Sequence, residues 1–118
     1  MNIVIIEDNP NNMYLARFIL EKRGHTVFGA VTAEDGIAQV RDACPDLILM
    51  DMNLPDMDGF EATRIIKSDA ALESIPVIAF TALAMHGDAD KTLAAGCDGY
   101  ISKPLNPQTF ADQVEAFV

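Results

Sequence analysis

Five polar side chains that follow apolar segments of the chain could together bind a metal ion and a phosphoryl group. They are Glu7, Asp8, Asp51, Thr81 and Lys103. Carboxylate oxygens are ligands that Mg²⁺ prefers, while a lysine and a hydroxyl can neutralise and hydrogen-bond phosphoryl oxygens. A carboxylate held beside the metal can also act as a nucleophile. These residue types therefore predict phosphoryl transfer at a magnesium site, if the fold brings them together.

The elements that must position these side chains are short apolar runs separated by amphipathic segments of helical length. The runs are 3–6, 26–30, 47–50, 77–80 and 99–101. This alternation is typical of β/α units around a parallel sheet. It predicts an α/β fold, a doubly wound, flavodoxin-like (βα)5 arrangement with a central five-stranded parallel sheet of order 2-1-3-4-5. The length of 118 residues fits one domain over residues 1–118.

The helical segments have caps and apolar faces of their own. The first three predicted helices are capped by Asn9, Thr32 and Asp58. One face of the first helix is formed by Leu15, Phe18 and Ile19. An apolar stripe on the second helix ends at Cys44, and a fourth, alanine-rich helix is predicted over about 87–95.

The predicted strand order places the candidate side chains at one edge of the sheet. Ligands bind at the carboxyl ends of the strands, at the point where the strand order reverses. Glu7, Asp8 and Asp51 should converge there, between the first and third strands, with Thr81 and Lys103 on the far side. Two like charges 4 Å apart cost on the order of 4 kcal/mol at an effective dielectric of about 20. We therefore expect a divalent cation, Mg²⁺, to offset this repulsion.

The charge balance excludes several classes of function. The chain has 8 Lys and Arg against 18 Asp and Glu, a formal charge of −10. Neither nucleic acid nor an anionic membrane is an expected partner, because both need a basic face. No apolar run approaches the roughly 20 residues that span a bilayer, and no signal peptide is recognisable. We expect a soluble cytoplasmic protein with buried thiols at Cys44 and Cys97 and with solvated, non-catalytic histidines, His25 and His86.

The segments around the candidate residues closely resemble the receiver domain of two-component response regulators. They read IVIIEDN over 3–9, DLILMDMNLPDMDG over 46–59, PVIAFTA over 76–82 and AGCDGYISKP over 95–104. The resemblance covers the whole chain and implies the same fold. The segment from Thr81 to Asp88 is similar to receivers of the DivK kind and to those of hybrid kinases. With no effector domain after the last predicted helix, the chain is expected to be either a stand-alone regulator or a domain excised from a larger protein. Met1 directly before the first strand favours the stand-alone regulator.

The resemblance implies a role for each residue of the phosphorylation site. Asp51 would accept a phosphoryl group from a histidine kinase or a histidine phosphotransfer protein. Mg²⁺, for which Mn²⁺ can substitute, would be bound by Asp8, Asp51 and the backbone carbonyl of Asn53, with Glu7 acting through water. Lys103 would pair with the acyl phosphate. Such a protein is a signalling phosphoacceptor rather than an enzyme, although it assists its own phosphotransfer and slow dephosphorylation.

The resemblance also implies a switch that reports phosphorylation. Thr81 and Ala82 would bind the phosphoryl group, and Thr81 together with Tyr100 would change conformation. The surface of the fourth helix, the fifth strand and the fifth helix would then signal to a downstream protein. The Lys103–Pro104 peptide bond is expected to be cis.

Two positions are expected to influence the lifetime of the phosphorylated state. By the same resemblance, Asn53 and Leu83 flank the water molecule that attacks the acyl phosphate. Leu83 is apolar and cannot orient that water. We therefore expect slower loss of phosphate than in receivers with a polar residue there.

Three other functions fit parts of the pattern. An aspartyl-phosphate phosphohydrolase of the haloacid-dehalogenase type would carry an acid two residues after the nucleophile, where this chain has Asn53. A flavodoxin that binds FMN would need hydrogen-bond donors after the first strand, where Glu7 and Asp8 would repel a phosphate. A receiver that binds partners without phosphorylation would lack an Asp, Thr or Lys of the site, and none is missing. The phosphohydrolase and the binding module remain the alternatives.

Overall fold

The structure, a computed structural model, describes residues 1–81 and 96–117. Its strands are β1 (Asn2–Ile6), β2 (Thr26–Ala30), β3 (Leu47–Asp51), β4 (Val77–Thr81) and β5 (Gly99–Ser102). Its helices are α1 (Pro10–Lys22), α2 (Ala33–Ala43), α3 (Gly59–Ser68) and a C-terminal helix (Phe110–Glu115). The predictions for Ala82, Leu83, His86 and the helix over 87–95 fall outside the described residues.

The five strands form one parallel sheet of order β2-β1-β3-β4-β5, which confirms the predicted fold class. The central strands β3 and β4 are buried along their whole length, as expected for strands covered on both faces. Alternate residues of these strands point to opposite sides of the sheet. One apolar cluster packs β1, β3 and β4 against α2 and α3, and the other packs them against α1 and the C-terminal helix. Because all five strands are parallel, their carboxyl ends lie along one edge of the sheet, which we call the carboxyl edge; the opposite edge is the amino edge.

The three predicted helix caps are present, and each fixes the residue at which its helix begins. The Asn9 side chain accepts hydrogen bonds from the N–H groups of Asn11 and Asn12. Thr32 Oγ1 accepts from Asp35 N at 3.2 Å, and Asp58 Oδ1 accepts from Glu61 N at 2.8 Å. These bonds satisfy N–H groups that have no partner inside their helices. Each helix thus begins immediately beside the carboxyl edge of the sheet.

The apolar face of α1 differs from the prediction. Its buried residues are Ala16 and Leu20, whereas Phe18 is 52% exposed. The small Ala16 side chain lets the helix lie close to the sheet. Since α1 carries apolar residues on more than one face, its periodicity alone did not identify the buried one.

Two further expectations about individual side chains are wrong. Cys44 is exposed, because it is the C-cap of α2 with φ of 44° and turns away from the helix stripe; Cys97 is buried as expected. His25 is not solvated, since its side chain is 13% exposed and Nε2 lies 2.8 Å from Glu115 Oε2. Within the described residues, no helix is long and apolar enough to cross a membrane.

Candidate functional site

Three carboxylates converge at the carboxyl edge between β1 and β3. Glu7 and Asp8 follow β1, and Asp51 is the last residue of β3. One oxygen of each lies within 4.8 Å of the others. Parallel pairing of the strands causes this convergence: Ile6 is opposite Met50, so the residues after them are neighbours. The strand-end argument therefore correctly placed these side chains together.

Burial makes this cluster electrostatically unusual. Glu7 is 1% exposed and Asp51 is 5% exposed, while Asp8 is exposed. Burial raises the pKa of the Asp51 carboxyl from its ordinary 3.8 to about 7. The neighbouring Glu7 charge raises this pKa as well, while the Asn53 backbone N–H and the Lys103 ammonium lower it. Without a further cation, the folded chain therefore disfavours full ionisation of the cluster.

Lys103 supplies the positive charge of the site. Its Nζ lies 2.7 Å from Glu7 Oε2 and 3.5 Å from Asp51 Oδ2, and 5.0 Å from the centre of the Phe80 ring. The ring face attracts the ammonium group, and the Lys103 side chain is only 17% exposed. The peptide bond between Lys103 and Pro104 is cis.

The cluster has the donor set of a divalent-cation site. Three carboxylates face one ammonium group, so the charge is not balanced by the described residues around it. Glu7 Oε2 is buried, and its ion pair with the Lys103 ammonium at 2.7 Å leaves the other two carboxylates in excess. Hard oxygen ligands and an uncompensated negative charge fit Mg²⁺.

The loop after β3 holds the backbone beside Asp51. Asn53 N donates to Asp51 Oδ1 at 3.0 Å, and Gly59 N donates to the Met52 carbonyl at 3.0 Å. A Cβ atom on Gly59 would lie 2.6 Å from the Asp51 carbonyl oxygen and from Met52 Cα. Only glycine permits this approach, which brings the start of α3 against the end of β3.

The remaining predicted residues lie on β4 and β5. Thr81 is the last residue of β4 and is buried, and its carbonyl accepts a hydrogen bond from Lys103 N at 3.1 Å. Tyr100 lies on β5 opposite Ala79 and is 42% exposed. Thr81 thus borders the carboxylates, and Tyr100 lies one strand further from them.

These side chains line a cleft of about 260 Å³. Its walls are Glu7, Asp8, Asn9, Asn12, Asp51, Asn53, Thr81 and Lys103. Sequence reasoning missed Asn12, although its place three residues after the Asn9 cap puts it on the same side of α1. It also missed Asp56, in the loop after β3, whose carboxylate accepts hydrogen bonds from the first N–H groups of α2.

Comparisons with known proteins identify the class to which this fold and site belong. A family profile of the response regulator receiver domain matches residues 3–115, and the chain belongs to that family. Receiver domains are signalling phosphoacceptors of two-component systems. The polar-differentiation response regulator DivK of Brucella ovis is 38% identical over 117 residues, which are 99% of this chain and 95% of that protein.

Solved structures agree with this assignment. The receiver domain of the sensor histidine kinase PA1611 from Pseudomonas aeruginosa is 31% identical, with a TM-score of 0.90 over 98% of this chain and 95% of that one. It was crystallised with a magnesium ion coordinated in its active-site cleft. The chemotaxis protein CheY4 of Vibrio cholerae, at 22% identity, has a TM-score of 0.92 over 99% of this chain and 98% of that one, which supports the fold.

Proposed function

We propose that this receiver takes a phosphoryl group from a phosphohistidine donor onto Asp51. The observation that best supports this proposal is that the Asp51 carboxylate is buried in a cleft, with the Lys103 ammonium 3.5 Å away. An Asp51 oxygen attacks phosphorus, a P–O bond forms and the P–N bond breaks, and its electron pair stays on the imidazole nitrogen. Lys103 pairs with the phosphoryl oxygens, and the Asn53 N–H holds the carboxylate. Such donors obtain phosphate from ATP, so the proposal places the chain in the cytoplasm.

The transfer would use Mg²⁺ bound at the carboxylate cluster. Asp8, Asp51 and the Asn53 carbonyl would be its ligands, and Glu7 would act through water. When bound, the ion would neutralise charge on the phosphoryl oxygens. The buried Glu7 carboxylate and the excess of carboxylates over ammonium groups support this assignment. Mn²⁺ prefers the same ligands and could substitute.

A donor protein would meet α1, whose N-terminal end borders the cleft. Asn12 lines the cleft, and further along the helix the rings of Tyr14 and Phe18 are stacked with centroids 6.2 Å apart. Tyr14 is 70% exposed, and such exposed aromatic residues are enriched at protein interfaces. A histidine kinase or histidine phosphotransfer protein is the proposed occupant. Phe18→Ala should slow transfer from the protein donor and leave transfer from a small phosphodonor unchanged.

Mass spectrometry tests the phosphorylation site directly. Incubation with a small-molecule phosphodonor and Mg²⁺ should add one phosphoryl group to the wild-type chain and none to Asp51→Asn. Asp42→Asn, an equal change of charge on the exposed face of α2, is the matched control and should be phosphorylated normally. An adduct on Asp51→Asn, or equal labelling after a chelator removes metal, would contradict the proposal.

The same assay distinguishes the alternative functions. Release of many equivalents of inorganic phosphate at a steady rate would indicate a phosphohydrolase. Absence of any adduct, with donor and metal present in excess, would indicate a binding module that works without phosphorylation. The receiver assignment predicts a single adduct that decays slowly.

Phosphorylation would be reported through Thr81 and Tyr100. The Thr81 hydroxyl would hydrogen-bond the phosphoryl group, and Tyr100 would change its orientation on β5. The surface of β5, the C-terminal helix and the predicted fourth helix would then signal to a downstream protein. Tyr100 is one of only two tyrosines, so its ring signals can be followed by NMR. Thr81→Ala should still accept phosphate while the Tyr100 signals no longer respond to it.

If the Tyr100 signals shift equally in phosphorylated wild type and phosphorylated Thr81→Ala, the switch is wrong. Phosphorylation at Asp51 would stand in that case, because its assay does not depend on Tyr100.

A further inference from the structure

A carboxylate in the loop after β3 holds the first turn of α2. Asp56 Oδ1 accepts the N–H of Ala33 at 2.9 Å, and Oδ2 accepts the N–H of Glu34 at 3.0 Å. These N–H groups have no partner inside the helix, and the two bonds hold the pKa of Asp56 below its ordinary value. Thr32 satisfies the next N–H, that of Asp35. One carboxylate therefore joins two segments that are far apart in the sequence.

The segments that Asp56 joins both border the carboxylate cluster. Its own loop carries Asn53, whose N–H donates to Asp51 Oδ1. On the other side, α2 follows β2, and the carbonyl of Ala30 at the end of β2 accepts the N–H of Glu7 at 2.9 Å. The far end of the loop is fixed where Asp58 caps α3. Asp56 thus fastens the middle of the loop, on the β2 side of the sheet, opposite Lys103.

We propose that Asp56 is a positioning residue that fixes the backbone of Asn53 and so sets how tightly the cluster binds Mg²⁺. The inference rests on the proposed function, in which the Asn53 carbonyl is a ligand. Asp56 is exposed and acts only through the loop. Linkage is reciprocal: if the contact between Asp56 and α2 strengthens metal binding, metal binding must strengthen that contact equally.

The first test compares Mg²⁺ affinity, followed by NMR titration, in two variants that weaken the same helix start. Asp56→Ala removes the cap and the link to the loop, and the dissociation constant should rise about tenfold, the low end for residues that orient a ligand. Thr32→Ala removes a cap from α2 without touching the loop, so affinity should stay at the wild-type value. Asp56→Asn keeps one acceptor oxygen and should lie between them.

The second test needs no phosphodonor. In wild type, Mg²⁺ should slow hydrogen exchange at the Ala33 and Glu34 amides, and Asp56→Ala should abolish this protection. In metal-free protein, the Asn53 amide should exchange faster in Asp56→Ala than in Thr32→Ala.

The outcomes separate this inference from the proposed function. If wild type binds Mg²⁺ but Asp56→Ala and Thr32→Ala have equal affinities, the role of Asp56 is wrong and the metal site stands. If wild type binds no Mg²⁺, the proposed metal site falls and the role of Asp56 falls with it.

Discussion

The carboxyl and amino edges of the sheet differ in how far positive side chains compensate their carboxylates. At the carboxyl edge, three carboxylates share one ammonium group, and two of them are buried. At the amino edge, Glu115 meets both His25 and Arg23, at 2.8 and 3.3 Å. Arg23 also pairs with Asp112. Negative charge is therefore crowded at one edge and compensated at the other.

The pKa shifts follow this difference. Burial raises the pKa of Asp51 to about 7, whereas the hydrogen bond from His25 and the Arg23 charge lower the pKa of Glu115. A raised carboxyl pKa means that folding opposes the charged form, and a lowered one means that folding favours it. Ionisation of Asp51 therefore lowers stability at the carboxyl edge, and the paired Glu115 carboxylate raises stability at the amino edge.

The largest expected effect comes from removing the cation of the carboxyl edge. Lys103→Met leaves no ammonium to pair with phosphoryl oxygens at Asp51. The rate of phosphorylation by a small-molecule donor with Mg²⁺ should fall about a hundredfold, as for loss of one electrostatic group in a preorganised site. Mass spectrometry at timed intervals gives this rate.

Lys22→Met is the matched control for this experiment, since Lys22 is exposed on α1 and distant from the cleft lining. It should be phosphorylated at the wild-type rate. A Lys103→Met rate close to that of wild type would show that the lysine does not assist transfer.

The next expected effect is on stability. In metal-free protein, Asp51→Asn should be more stable than wild type by a few kcal/mol at pH 8, because each unit of pKa shift is worth about 1.4 kcal/mol. Because folding raises the pKa of Asp51, the protonated carboxyl contributes its full stability to wild type below about pH 4, and this stability is lost as the pH rises towards 7. The difference in stability between Asp51→Asn and wild type should therefore develop between about pH 4 and pH 7.

Urea unfolding at several pH values in the presence of a chelator measures this difference. Asp42→Asn, which keeps Asp51, should lose stability between pH 4 and 8 as wild type does. Mg²⁺ added in place of the chelator should stabilise wild type by binding its folded state. The stability difference between wild type and Asp51→Asn should then become smaller. If the stability difference between Asp51→Asn and wild type does not change between pH 4 and 8, the buried charge of Asp51 does not destabilise the carboxyl edge.

The sequence predicted the carboxyl edge well because its determinants are local. Each apolar run sets one strand, and the polar residue after it must lie at the strand end, so convergence of Asp8 and Asp51 followed from strand order alone. The caps Asn9, Thr32 and Asp58 act within three residues of themselves, which makes them equally readable. Roles assigned to these residues by resemblance await the experiments above.

The features that sequence reasoning missed depend on contacts between distant segments. His25 is partly buried because it meets Glu115, which lies 90 positions later, and no local pattern indicates that pair. Asp56 follows a proline in a loop, where an aspartate is ordinarily a turn residue; its partners on α2 lie 23 and 22 positions earlier. Such pairs depend on how α2 and the C-terminal helix pack.

The smallest effect is expected at the amino edge. Glu115→Gln removes the charge that pairs with His25 and Arg23, and the melting temperature at pH 7 should fall by a few degrees. The folded pKa of Glu115 lies below its ordinary 4.5, so its stabilising contribution is present above that value and is lost as the pH falls through the lowered pKa. The difference from wild type should therefore shrink under acidic conditions, the reverse of the behaviour of Asp51→Asn. Glu73→Gln, an exposed change, is the control. Phosphorylation of Glu115→Gln should proceed at the wild-type rate, and a slower rate would mean that the two edges are coupled.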